Sequence, residues 1–194
     1  MTVYLIRHGE TPPRPGKPSD GNSIGLTPEG KAAALRKAEW FKYKRIHKVI
    51  ASPLARARET AGIIAAAIAV PLVIDERAAE FVPADVAAPD FKLARDHSRL
   101  DRDWAGEGGE SFNASLSRFK TFLDEVSADG PVCIVTHELI LQNLLMVLGY
   151  KIPPHLEHLA VVTLTKDSFG WHIASIRQST SLIRRILKRL RLSL

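Results

Sequence analysis

The chain has 194 residues, a length that suits one domain, and its 45% apolar and 25% charged residues place it among soluble globular proteins. Its net charge of +6 is concentrated between 180 and 194, where Arg184, Arg185, Lys188, Arg189 and Arg191 meet no acid. The rest is therefore near neutral, and the charge gives no ground for a nucleic-acid partner.

The single cysteine, Cys133, rules out a disulfide within the chain, fits a reducing compartment, and sits in an apolar run that predicts a buried thiol. The N-terminal residues lack the basic start and long apolar run of a signal peptide. The longest apolar stretch, 61–74, contains Gly62 and Pro71 and is too short to span a bilayer. A cytoplasmic protein is expected.

In chain order, residues 2–6 are rich in β-formers and predict a strand. Four prolines and three glycines between 12 and 26 predict a loop. Thr27-Pro28 predicts a helix start, with Thr27 as N-cap and Pro28 at the first helical position, and the alanine-rich helix runs over 29–42. A strand over 47–51, a helix over 54–69 and a strand over 71–74 follow.

Residues 81–109 read as an irregular insertion with a weak helix near 91–100. A helix is expected over 110–126 and a strand over 132–136. Another helix, over 137–148, ends at Gly149 as a C-cap. Strands over 160–165 and 171–176 flank a hairpin turn at 166–170. Alternating strands and helices argue for an α/β fold, a three-layer sandwich on a mainly parallel central sheet. Ligands then bind beyond the carboxyl ends of the strands.

The polar residues that look chemical fall at those ends. Arg7-His8-Gly9-Glu10-Thr11 follows the first strand. A neutral imidazole is a competent nucleophile toward phosphorus, and arginine offers a planar fork for phosphate oxygens. Taken alone, His8 reads as a packed histidine at a strand end. Ser52-Pro53-Leu54-Ala55-Arg56-Ala57-Arg58-Glu59-Thr60-Ala61 follows the second strand and sets Arg56 in the first turn of a helix, where anions are attracted. Arg58 and Glu59 are expected on a solvated face. Thr136-His137-Glu138 brings a second histidine to another strand-to-helix junction. Two histidines with two arginines suggest an anion pocket rather than a metal centre. His155 and His158 lie three apart in a proline-led stretch, a weak pattern for a metal pair.

These motifs together resemble the histidine phosphatase, or phosphoglycerate mutase-like, superfamily, over nearly the whole chain from Val3 to Ile176. The resemblance implies a phosphoglycerate mutase-like fold. It makes His8 the nucleophile, with Arg7, Arg56 and His137 on the phosphoryl oxygens. Glu80 takes the place of the family's acid, with Ala78 where leucine is usual and Glu76 as the alternative acid. Gly108-Gly109-Glu110-Ser111 resembles a family segment near the pocket. Thr11, Arg14 and Asn22 would contribute to substrate binding; the family often carries an asparagine at the position of Arg14, and either Asn22 takes that role from the loop or Arg14 contacts a second acidic group of the substrate. Glu138 stands where glycine is usual; a helix N-terminus favours an acid there, and its charge would repel a dianionic substrate.

The expected catalytic domain is 1–179, with the short insertion near 81–109. The expected activity is metal- and cofactor-free hydrolysis, through phosphohistidine, of a small phosphorylated metabolite or a phosphoprotein. The alternatives are a phosphoglycerate mutase and a catalytically weak interaction protein on the same fold. Cofactor-dependent mutases of the family carry a longer insertion, which speaks against the first. The presence of all the core residues speaks against the second. Residues 180–194 have Ile183, Ile186, Leu187, Leu190 and Leu194 at helical spacing between basic residues. Such a basic amphipathic segment would suit an anionic membrane surface, the chain's own domain, or a second copy in a homodimer.

Overall fold

A computed structural model describes residues 1–13, 16–128, 130–151 and 154–179. Arg14 and the basic segment 180–194 lie outside the described residues. Six strands form one sheet: β1 (Thr2–Arg7), β2 (Lys48–Ala51), β3 (Leu72–Ile74), β4 (Val132–Thr136), β5 (Val161–Asp167) and β6 (Gly170–Arg177). Their order is β3-β2-β4-β1-β5-β6. The first four are parallel, with Val3 opposite Val132 and Arg7 opposite Thr136. The final hairpin joins antiparallel to β1. The sheet is thus mainly parallel, as the alternation of elements predicts.

Helices α1 (Pro28–Phe41) and α2 (Ala55–Ile68) cover one face, and α4 (Phe112–Val126) and α5 (Glu138–Val147) the other. Side-chain alternation on the strands divides the core accordingly. Val3, Leu5 and Ile134 pack with Phe112, Phe119 and Phe122 of α4. Ile6, Cys133 and Val135 pack with Ala34, Ala38 and Phe41 of α1 and with Ala57, Ala61 and Ile64 of α2. The small residues on α1 and α2 let those helices approach the sheet closely. Cys133 is fully buried, and burial pushes its thiol far up, so it stays an inert part of this core. Full burial of a large apolar side chain is worth roughly 1.5–3 kcal/mol, and the five fully buried phenylalanines alone make a core that needs no cross-link.

Local signals place the helix starts. The Thr27 side chain accepts the Gly30 amide at α1, and Ser111 accepts the Ala114 amide at α4. The Ser111 cap makes α4 begin at Phe112, two residues later than expected. Glu110 instead remains extended and donates its amide to the Val82 carbonyl at 2.8 Å. The insertion contains a complete helix, α3 (Asp90–Leu100), which buries Ala94 and Ser98. A short 3-10 turn, Ser19–Gly21, interrupts the stretch expected to be a loop, and a second, Glu76–Ala78, follows β3. Among the described residues no helix is long and apolar enough to cross a membrane.

Candidate active site

The carboxyl ends of β1, β2 and β4 meet at one cavity of about 300 Å³, bordered also by the 16–22 loop and the insertion. His8 follows β1 and is 3% exposed. Its amide donates to the Thr136 carbonyl of β4 at 3.0 Å, which fixes the backbone across the sheet. Its Nδ1 lies 2.7 Å from the Gly9 carbonyl. That oxygen can only accept, so Nδ1 carries the hydrogen and Nε2 presents a lone pair. Arg56 Nε donates to this Nε2 at 3.2 Å. Burial, and then the charge of Arg56, hold the His8 pKa well below the ordinary 6.5, so the ring is neutral.

Arg56 lies in the first turn of α2, is 2% exposed, and also donates through Nη1 to the Gly21 carbonyl at 3.0 Å. His137 is fully buried at the end of β4, 5.2 Å from His8 between ring centroids, with Nε2 2.8 Å from the Ser52 hydroxyl. Ser52 therefore links the motif after β2 to the histidine after β4. Arg7 points its Nη1 at Glu138 Oε2, 2.9 Å away, and at the Leu156 carbonyl, while its Nη2 approaches His158 Nε2 at 3.3 Å.

Glu80 reaches the cavity from beyond β3. Its carboxylate accepts the amides of Ile140 at 2.9 Å, Leu139 at 3.3 Å and Phe81 at 2.9 Å. The first two are N-terminal amides of α5, whose N-cap residue His137 makes no side-chain cap of its own. Glu80 thus caps α5 from a distant part of the chain, and the His137 ring is left to face Ser52. Desolvation pushes the Glu80 carboxyl above 4.5, against the pull of the amides and of Arg56. Glu76, the alternative acid, lines a neighbouring recess with Pro53 and Ala79 and is not part of the His8 cavity.

Several expectations are corrected here. Thr11 is half-buried and stands off the cavity lining, whereas Asn22 lines it. Arg58 is exposed as expected, and the partly exposed Glu59 does more than face solvent: its carboxylate accepts the Leu26 amide at 3.1 Å and pairs with Lys31, anchoring the end of the 16–26 loop. The 108–111 segment lies near the cavity without lining it, held to Val82 of the lining by the Glu110 amide. A Cβ on Gly109 would stand 2.2 Å from the Pro83 carbonyl oxygen, so glycine is needed for this close approach. Glu110 pairs with Arg118, which also holds the Arg77 carbonyl at 2.6 Å. The segment braces the chain on both sides of Glu80.

His155 and His158 do not act as a pair. His155 Nδ1 meets Glu138 Oε1 at 2.6 Å, and the His158 ring lies 5.5 Å from that of His8. Among the described residues no group of three or more metal-ligating side chains occurs. His158 is a site neighbour that sequence spacing did not reveal; its only signal was its chemistry. Lys17 was also missed, because it lies in a loop whose fold over the cavity is not written in its composition.

A neutral, tautomerically fixed histidine, two arginines, a second histidine and a desolvated glutamate at the ends of parallel strands make a site suited to phosphoryl groups. Residues 3–178 match the family described as the histidine phosphatase superfamily (branch 1), and the chain belongs to it. Over 81 residues, 41% of this chain, it is 38% identical to the probable phosphoglycerate mutase GpmB of Escherichia coli, and to the protein of that name from Enterobacter sp. (strain 638). The match spans only 38% of the length of those relatives. Among solved structures, Bacillus stearothermophilus YhfR is 25% identical with a TM-score of 0.71, covering 89% of this chain and 95% of that one. A mycobacterial glucosyl-3-phosphoglycerate phosphatase bound to inorganic phosphate is 22% identical with a TM-score of 0.73, covering 93% and 97%. The protein histidine phosphatase SixA bound to tungstate is 17% identical with a TM-score of 0.63, covering 92% and 97%. The last two likenesses speak for the fold alone.

Proposed function

We propose that this chain is a metal-independent phosphatase that hydrolyses a phosphomonoester or phosphoprotein through a phosphohistidine on His8. The observation that carries the reading is the hydrogen bond from His8 Nδ1 to the Gly9 carbonyl, which leaves Nε2 as a neutral nucleophile facing the cavity. Family membership supports the same chemistry.

In the first half-reaction Nε2 attacks phosphorus as the bond to the leaving oxygen breaks. Arg56 moves its donor from Nε2 to a phosphoryl oxygen, and Arg7 and His137 stabilise the remaining negative charge. Glu80, favoured as an acid by desolvation, gives its proton to the leaving oxygen. In the second half-reaction water attacks phosphorus, ionised Glu80 takes its proton, and the phosphorus–nitrogen bond breaks to restore His8 and release phosphate.

The test is quenching of the wild type in alkaline detergent during turnover of p-nitrophenyl phosphate. An acid-labile, base-stable phosphoenzyme should appear, and His8→Ala should form none and turn over roughly a thousandfold more slowly or worse. Near-normal turnover in that variant would end the proposal. A second reading, phosphoglycerate mutase, draws on the partial likeness to GpmB and requires phosphate transfer between positions of phosphoglycerate in place of release to water.

A further inference from the structure

Glu138 is the first residue of α5 and lines the same cavity as His8, Arg7 and Arg56. Its carboxylate is fixed from several sides. Oε2 pairs with Arg7 Nη1 at 2.9 Å. Oε1 meets the Leu156 amide at 3.2 Å, Gln142 Nε2 at 3.3 Å and His155 Nδ1 at 2.6 Å. Turning this group out of the cavity would strand the Leu156 amide and break the ion pair with Arg7, so its charge is a fixed part of the substrate's surroundings.

That charge acts in two ways. A phosphoryl oxygen binding Arg7 must compete with Glu138 for the same guanidinium. A second anion on the leaving group would share a cavity of about 300 Å³ with it, where like charges are poorly screened. Lys17 also lines the cavity, and its field reaches Asp85, a carboxylate held in place by both the amide and the hydroxyl of Ser19 at 3.1 and 2.6 Å.

We propose that Glu138 is a specificity-determining residue that restricts the site to phosphomonoesters whose leaving group carries no second anionic charge. The inference rests on the phosphatase reading above. It also sets this site apart from one built for phosphoglycerate.

The test compares glycerol 3-phosphate with 3-phosphoglycerate, which are nearly isosteric and differ by a hydroxymethyl group in place of a carboxylate. Wild-type kcat/KM should favour glycerol 3-phosphate by about tenfold or more. Glu138→Gln keeps an acceptor for Arg7 and removes the charge. It should bring the two substrates within about threefold, mainly by lowering KM for 3-phosphoglycerate, and should tighten inhibition by inorganic phosphate severalfold. Both substrates are assayed on one preparation, so partial folding scales both rates alike and the ratio still reports the folded variant. Equal or better wild-type turnover of 3-phosphoglycerate, or an unchanged ratio in the variant, would overturn the proposal and leave Glu138 as a brace for the chain at Leu156. Failure of the phosphatase reading looks different: the wild type would neither turn over p-nitrophenyl phosphate nor form a phosphoenzyme, and the inference would fall with it.

Discussion

The Thr60 hydroxyl accepts the Gly9 amide at 3.0 Å while donating to the Arg56 carbonyl at 2.7 Å. This one buried side chain therefore joins the segment after β1, which carries His8, to the helix that carries Arg56. It explains why the two motifs need each other although 48 residues separate His8 from Arg56. Thr60→Val keeps the shape but strands a buried amide, at a cost of about 1–3 kcal/mol. We expect a lower melting temperature together with a fall in kcat on aryl phosphates, because His8 and Arg56 lose their common anchor. Unchanged kcat at full stability would show that the link is dispensable.

Glu80→Gln removes the proton donor while leaving an oxygen to accept α5 amides. Turnover of alkyl phosphates should drop by about 10²–10⁴-fold, and turnover of p-nitrophenyl phosphate much less in the phosphorylation step, since only a poor leaving group needs the proton. Single-turnover rates on the two substrates separate this step from hydrolysis of the phosphoenzyme. Equal losses would shift the acid's role elsewhere.

The pH profile follows from two opposed shifts. Burial keeps His8 neutral to well below 6.5, so acidification from neutrality should not protonate the nucleophile. Desolvation raises Glu80 above 4.5, so the acid form is lost only as pH rises through that elevated value. For an alkyl phosphate, kcat/KM should hold on the acid side and decline on the alkaline side. The substrate's own second ionisation, near pH 6, adds a limb common to all variants. The ratio of wild type to Glu80→Gln across pH isolates the enzyme's part, and a ratio flat with pH would contradict the assignment of Glu80.

Chelation offers a fourth check. Arg7 and Arg56 flank His8 and can neutralise a phosphoryl group without a divalent ion. Activity should survive dialysis against EDTA to within about twofold. Loss with EDTA and recovery on adding a divalent cation would require a metal in the phosphoryl site.

Much of this was legible in the sequence because it is local. Thr27-Pro28 fixes the start of α1 through a cap three residues long, and the buried run 132–136 reads as a central strand from its own composition. His8 and His137 could be found because each follows a strand directly, and Arg56 because it opens the helix after one; parallel strands deliver their carboxyl ends to one edge. Partners set by register across the sheet were not legible. Glu80 caps α5 from about 60 residues away, so neither helix nor acid announces the other. Pairing of β5 against β1, with the Leu159 amide on the Arg7 carbonyl at 3.0 Å, brings His158 to Arg7, and pairing of β4 against β1, with Thr136 opposite Arg7, brings Glu138 there. Hydrophobic periodicity is settled by neighbours along the chain and so determined the elements and their order, while the candidate reacting groups were legible through their resemblance to the family's motifs. Which acid meets which arginine depends on how those elements dock, and only the tertiary structure decided that.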